Sequence, residues 1–262
     1  MRLLELDHDG HPLTFTKDLV SDIPPYAILS HTWADDEEEV TYKDIKKGRG
    51  KDKDGYRKIQ FCAKQGSSDG FGYLWIDTCC IDKSSNTELQ QAINSMFRWY
   101  QNASKCYVYL PDVSMDTLPE ETWKSAFRKT RWATRGWTLQ ELLAPSSVEF
   151  FSSDGQRIGD KKSLESLLHD MTGISISALR GTPLCEFTEL ERMSWMEQRQ
   201  TKHAEDKAYA LLGIFDIQMP LIYGEGQRNA FYRLREAIAL HSGRGRPTTG
   251  KQQANNLDFS TC

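Results

Sequence analysis

Nowhere in the 262 residues does an apolar run approach the roughly 20 residues of a membrane-spanning helix, so a membrane partner is not expected. Positive charge is not in excess either. Lys and Arg total 33 against 37 Asp and Glu, a net charge of −4, which argues against nucleic acid as a partner. Cysteines are few, 6 in all, and none stands in a CxxC pair or beside His at zinc-type spacing, so no metal site is expected. A disulfide framework is not expected where a large core is available, and the thiols read as small buried apolar groups. There is no internal repeat and no phosphate loop of the form G-x-x-x-x-G-K-[ST]. The opening MRLLELDHDG carries acidic residues where a secretion signal places its apolar stretch, so the expected location is cytoplasmic.

What is present is ample material for a core: 39% apolar residues, with 7 Trp, 10 Tyr and 11 Phe. RLLELD at 2–7 and LTFTKDL at 13–19 flank a turn and read as a hairpin. PPYAILSHTW at 24–33 reads as a buried strand, and GFGYLWIDTCCID at 70–82 contains the strongest strand signal, expected over about 73–78. KCYVYLPDV at 105–113 and VEFFS at 148–152 read as two more strands. Helices are expected at about 56–65, at 120–129 and 134–143, and after a capping box at Thr87 and Gln90. This alternation predicts an α/β fold, a mostly parallel sheet with helices on both faces. From 161 the spacing is helical throughout. The expected organisation is therefore an α/β domain over 1–160, a helical extension packed on it over 161–241, and a disordered polar tail over 242–262. The acidic run 35–39 and the basic stretch 43–58 read as solvated faces, or as complementary surfaces between copies of the chain.

In an open parallel sheet, ligands bind beyond the carboxyl ends of the strands. That rule selects Ser30, His31, Thr32 and Trp33 after the first parallel strand, and Asp77, Thr78, Cys79, Cys80 and Asp82 after the second. Asp112 closes the third. His31 and Cys80 could form a nucleophilic dyad, and Asp82 could cap the next turn. Asp77, an acid within the expected strand, has either a site role or a structural hydrogen bond.

Tyr26, Ala27, Leu29, Ser30 and Trp33 form a Y-A-x-L-S-x-x-W segment, and Trp75, Ile76, Asp77, Cys80, Ile81 and Asp82 a W-I-D-x-x-C-I-D segment. Arg135, Trp137, Thr138, Leu139, Gln140 and Glu141 form R-x-W-T-L-Q-E. With E-D-x-A-Y-x-L-L-G at 205–213 and YGEG at 223–226, the chain resembles the fungal heterokaryon-incompatibility (HET) domain over residues 1–240. Asp82 stands where many members have Asn, and Ala34 where many have Gly. The resemblance implies a cell-death effector of heterokaryon incompatibility or innate immunity. It also implies a distant similarity to TIR domains, hence a flavodoxin/TIR-like sheet, and to their NAD+-hydrolysing members. Trp137 and Glu141 reproduce the W-x-x-x-E spacing those enzymes use. On that reading Glu141 is catalytic, stabilising an oxocarbenium-like state. Ser30, His31, Trp33, Asp77, Arg135 and Trp137 surround the substrate, NAD+ is substrate rather than cofactor, and Arg131 and Arg135 hold a pyrophosphate. The structural alternatives are a capping box from Thr138 to Glu141, core packing for Trp33 and Trp137, and solvated charges for the arginines. The resemblance further implies self-association and, with no phosphate loop here, an NLR-type receptor in another chain. A non-enzymatic self-associating module is the alternative function.

Overall fold

The computed structural model describes residues 1–7, 9–115 and 120–244. In chain order the strands are β1 (Leu4–Leu6), β2 (Pro12–Phe15), β3 (Ala27–His31), β4 (Tyr73–Trp75), β5 (Lys105–Leu110), β6 (Val148–Ser152) and β7 (Arg157–Asp160). The helices of the first half are α1 (Tyr42–Lys46), α2 (Tyr56–Ser68), α3 (Asp77–Cys80), α4 (Asn86–Gln101), α5 (Glu120–Arg128), α6 (Arg131–Thr134) and α7 (Thr138–Leu143). Those of the second are α8 (Glu165–Thr172), α9 (Ile176–Leu179), α10 (Glu189–Glu197), α11 (Asp206–Tyr209) and α12 (Gly226–Arg244). The expected tail therefore begins inside α12, and from 245 it lies outside the described residues.

The strands form one mixed sheet in the order β2-β1-β4-β3-β5-β6-β7. Its centre, β4-β3-β5-β6, is parallel as expected, with β1 and β7 antiparallel at either side of it. All five residues of β3 are buried, so both of its faces are covered, which is why AILSH reads as a continuous run rather than an alternation. Ordering the parallel strands by sequence gives 2-1-3-4 across the sheet. The order reverses at β3, which makes its carboxyl end a topological switch point. Among the described residues no helix is long and apolar enough to cross a membrane.

Two local expectations are corrected. β4 ends at Trp75, and Asp77 opens α3, because the Cys79 and Cys80 N–H groups turn back to the Ile76 carbonyl at 3.3 and 2.8 Å. The cap of α4 is Ser85, whose hydroxyl accepts from the Glu88 N–H at 3.3 Å, so Thr87 and Gln90 lie inside the helix. Strand β7 gave no periodic signal because Arg157–Asp160 pairs only with β6.

The charged runs turn towards each other within the chain. Glu39 is buried against Lys58, which also donates to the Thr32 carbonyl at 3.0 Å. Glu38 accepts from the Asp54 N–H at 3.1 Å through its carboxylate, and its carbonyl accepts from Gly55 at 3.0 Å. A Cβ on Gly55 would lie 2.6 Å from that carbonyl, so the close approach needs glycine.

The second half is joined to the first by buried and half-buried hydrogen bonds. Gln140 donates to the Ala210 carbonyl at 2.8 Å, and Arg199 to the Arg135 carbonyl at 2.7 Å and Thr138 Oγ1 at 2.8 Å. Gln90 and Asn94 of α4 bond the backbone of Met219 and Leu221.

Candidate functional site

Three segments meet beyond the carboxyl end of β3. The strand delivers Ser30 and His31, the turn into α3 delivers Asp77, and α6–α7 deliver Trp132 and Glu141. Ser30 donates a short hydrogen bond to Glu141 Oε2 and accepts from Trp132 Nε1 at 2.7 Å. His31 Nε2 lies 2.9 Å from Asp77 Oδ1, and Trp33 Nε1 donates to Asp77 Oδ2 at 2.8 Å. The Lys83 ammonium sits 3.5 Å from the centre of the Trp33 ring, a cation–π contact. Asp112, at the end of β5, accepts from the Arg131 N–H at 2.8 Å and so fixes the start of α6.

The two carboxylates of this cluster carry opposite shifts. Burial pushes Glu141 up to about 8, against the Ser30 hydrogen bond, so the side chain is neutral near pH 7. Burial acts in the same sense on Asp77. There the Lys83 charge and the bonds from His31 and Trp33 outweigh it and hold the carboxyl well below the usual range. Burial also lowers Lys83 itself.

Glu141 is only 6% exposed. It does not cap its helix: the residue preceding α7 is Trp137, without a side-chain cap, and Thr138 instead donates to the Trp132 and Arg135 carbonyls at 2.7 and 2.8 Å. Trp137 and Glu141 also have different neighbours, since the Trp137 indole acts on the Asp206 carboxyl of α11 and helps to offset the upward push of burial there. Their spacing thus joins α7 to the second half through one side chain and to β3 through the other.

Two clefts flank Trp33. The larger, about 510 Å³, is lined by Trp33 with Asp35, Asp36, Arg131, Arg135 and Lys202. The smaller, about 320 Å³, lies on the Lys83 side with Tyr42, Thr78 and Ser84. Lys202 and Asp36 pair directly, and both line both clefts. Of the residues expected around a substrate, Trp33 and Arg135 face a cleft, while Ser30, His31 and Glu141 lie beneath and line neither.

The His31–Cys80 dyad does not form: His31 is engaged by Asp77, and the buried Cys80 accepts from the Ile76 N–H at 3.3 Å. Asp82 receives the Ser84 N–H and hydroxyl, as a turn cap does. Asp7, Asp9 and His11 bring ligand atoms within 4.8 Å of one another. Asp7 Oδ1 already accepts the Asp9 and His11 N–H groups, so the turn accounts for the grouping. Sequence reasoning missed Trp132, Lys83, Arg199 and Lys202. Only Trp132 had a local signal, its place in the R-W-A-T-R-G-W run that carries Arg135.

Residues 26–121 match the family model described as Heterokaryon incompatibility protein (HET). The chain is 61% identical over 247 residues, 93% of its length, to the Vegetative incompatibility protein HET-E-1 of Podospora anserina. It spans 18% of that curated relative's length. No solved structure matches the chain.

Proposed function

We propose, from the heterokaryon-incompatibility segment at residues 26–121, that this chain is the effector domain of a fungal vegetative-incompatibility protein, and that it acts by hydrolysing NAD+ once copies associate. The carrying observation is the buried carboxyl of Glu141 at the switch point, held neutral by its surroundings beneath a cleft. The parallel core order 2-1-3-4 is that of flavodoxin-like sheets, which supports the TIR-like comparison. The chemistry asks little of the protein. Water attacks the ribose C1′, the bond to the pyridinium nitrogen breaks with its electron pair going to nicotinamide, and the water proton passes to solvent or to a carboxylate. The products are nicotinamide, ADP-ribose and a proton. An ionised Glu141 would stabilise the cationic sugar as the bond breaks. A neutral Glu141 cannot, and on this reading the sealed arrangement is the resting form. Self-association that separates α7 from β3 would hydrate the carboxyl, return it to its ordinary range and switch the site on.

A second reading follows from the same burial. With Glu141 sealed and hydrogen-bonded, the cluster could be purely structural, and the domain a non-enzymatic module that signals by self-association. The deciding measurement is NAD+ consumption by the purified chain, free and clustered on a multivalent scaffold. The enzymatic reading expects turnover only on clustering and its loss in Glu141→Gln with the fold retained. No consumption when clustered, or an undiminished rate in Glu141→Gln, overturns it.

A further inference from the structure

Burial lowers three lysines among the described residues, Lys58, Lys83 and Lys161. Two of them commit their protons to fixed acceptors. Lys58 donates to the Thr32 carbonyl at 3.0 Å and to the Glu39 carboxylate, and Lys161 to the Leu142 and Pro145 carbonyls at 3.3 and 2.8 Å. Neither lines the clefts beside Trp33. Lys83 differs on both counts. Its amine has no hydrogen bond or ion pair among the described residues, and it lines the smaller cleft with Tyr42, Thr78, Ile81 and Ser84.

A ring and a field hold Lys83 in place of a bond. Its ammonium sits 3.5 Å from the centre of the Trp33 ring, and that ring is anchored through its indole nitrogen to Asp77 at 2.8 Å. Asp77, Cys79 and Glu39 favour the cationic form of the amine, and Lys58 opposes it. Burial outweighs the favourable groups, so the neutral amine is reached more easily here than on a solvated lysine. With no donated bond to break, its lone pair is free to attack a carbon that enters the cleft.

We propose that Lys83 is a covalent site for small neutral aldehydes, which it takes up as an imine. The ammonium gives two of its three protons to the carbonyl oxygen, which leaves as water. The nitrogen keeps the third and forms a double bond to the carbonyl carbon. The product carries the same single positive charge against Trp33 and near Asp77, so the surroundings that stabilise the ammonium stabilise it too. An acyl donor would leave a neutral amide and forfeit both interactions. A volume of about 320 Å³ admits only a small molecule. Asp36, Glu39 and Asp82 line the cleft against two other cations, Lys43 and Lys202, which disfavours an anionic aldehyde. This chemistry goes beyond the reading above and needs neither NAD+ nor Glu141.

Treating the whole chain with butanal and sodium cyanoborohydride tests this, since hydride transfer to the imine carbon fixes the adduct as a secondary amine for peptide mass mapping. Lys83 should be labelled about tenfold faster than Lys43, an exposed lysine of the same cleft. Raising the pH from about 7 to about 9 should narrow that ratio, because solvated lysines then gain neutral amine. Glyoxylate, an anionic aldehyde, should show a smaller preference for Lys83 over Lys43 than butanal does. Lys83→Arg keeps a cation over the Trp33 ring, so it should retain the melting temperature and lose the label. Should that variant fail to fold, the ratio of Lys83 to Lys43 in the parent decides alone. Equal labelling of the two, or none at Lys83, overturns the site. An equal preference with glyoxylate overturns the selection for neutral aldehydes. Glu141→Gln should label like the parent, so failure of the catalytic reading and failure of this one give different patterns.

Discussion

At the scale of single residues, Glu141 and Asp77 make folding depend on pH in opposite directions. Glu141 has its carboxyl raised to about 8 from an ordinary 4.5, so between those values the folded chain holds a proton that the unfolded chain has lost. Its contribution to stability is complete below the lower value and is lost as pH rises through the upper one. Glu141→Gln removes this dependence. The melting temperature of the variant relative to the parent should therefore rise steadily between about pH 5 and pH 8. A constant difference would mean that Glu141 ionises normally. Asp77 is held below its ordinary value, so its contribution is present above that value and lost as pH falls through the folded one. Asp77→Asn should flatten the acid limb of the stability profile and leave the alkaline limb unchanged. Lys58 offers a third case. Its ammonium is buried against Glu39, and Lys58→Met would strand that carboxylate, at a cost of about 3–5 kcal/mol in denaturant unfolding. Adding Glu39→Leu should recover most of the loss; if Lys58→Met is neutral, the pair is not buried in solution.

At the scale of elements, two sequence motifs turn out to be halves of one latch. In the E-D-x-A-Y segment Glu205 accepts the Gly224 and Gly226 N–H groups, both at 2.9 Å, while Asp206 accepts the Tyr223 hydroxyl at 3.0 Å. Tyr209 in turn donates to the Ile222 carbonyl and to Glu225. Both glycines have positive φ, 97° and 80°, which side chains rarely tolerate, so the Y-G-E-G turn is specified by its backbone as much as by its carboxylate. A second close approach joins the segment before α7 to the strand-like stretch at 200. A Cβ on Gly136 would lie 2.4 Å from Thr201 Cγ2. Gly136→Ala should cost about 1–3 kcal/mol from overpacking, and Thr201→Ser, which deletes that methyl, should return part of it. If the two changes are additive, the clash is relieved elsewhere.

For the molecule as a whole, the α/β part and the helical part are joined by close contacts. Gln140 and Arg199 carry buried hydrogen bonds across the boundary, and a Cβ on Gly213 would lie 2.1 Å from the Phe97 Cβ, so the second half seats directly on α4. Arg199 is 2% exposed and lowered by burial to about 10, a cation placed under α7 that only the assembled chain can accommodate. Residues 1–160 expressed alone should therefore lack a cooperative unfolding transition and expose apolar surface to dye, whereas residues 1–244 should melt as one unit. A cooperative transition in the shorter fragment would mean that the α/β part folds without the helical extension packed on it.

The sequence by itself determined the elements whose signal is local. β3, β5, β6 and α2 were legible because apolar runs and helical periods are written over neighbouring residues. The strand ends alone likewise place Ser30, His31, Trp33 and Asp77 at one edge. Only the tertiary structure decided what those residues are. Whether Glu141 meets solvent or Ser30 depends on how α7 leans on β3, a contact across more than a hundred residues that no periodicity encodes. The same holds for Lys83 on Trp33, and for Lys202 against Asp36 from the far half of the chain. A carboxylate in W-x-x-x-E spacing carries the same letters whether hydrated or sealed. Burial sets its charge state, and burial is a property of the packed molecule, not of the segment.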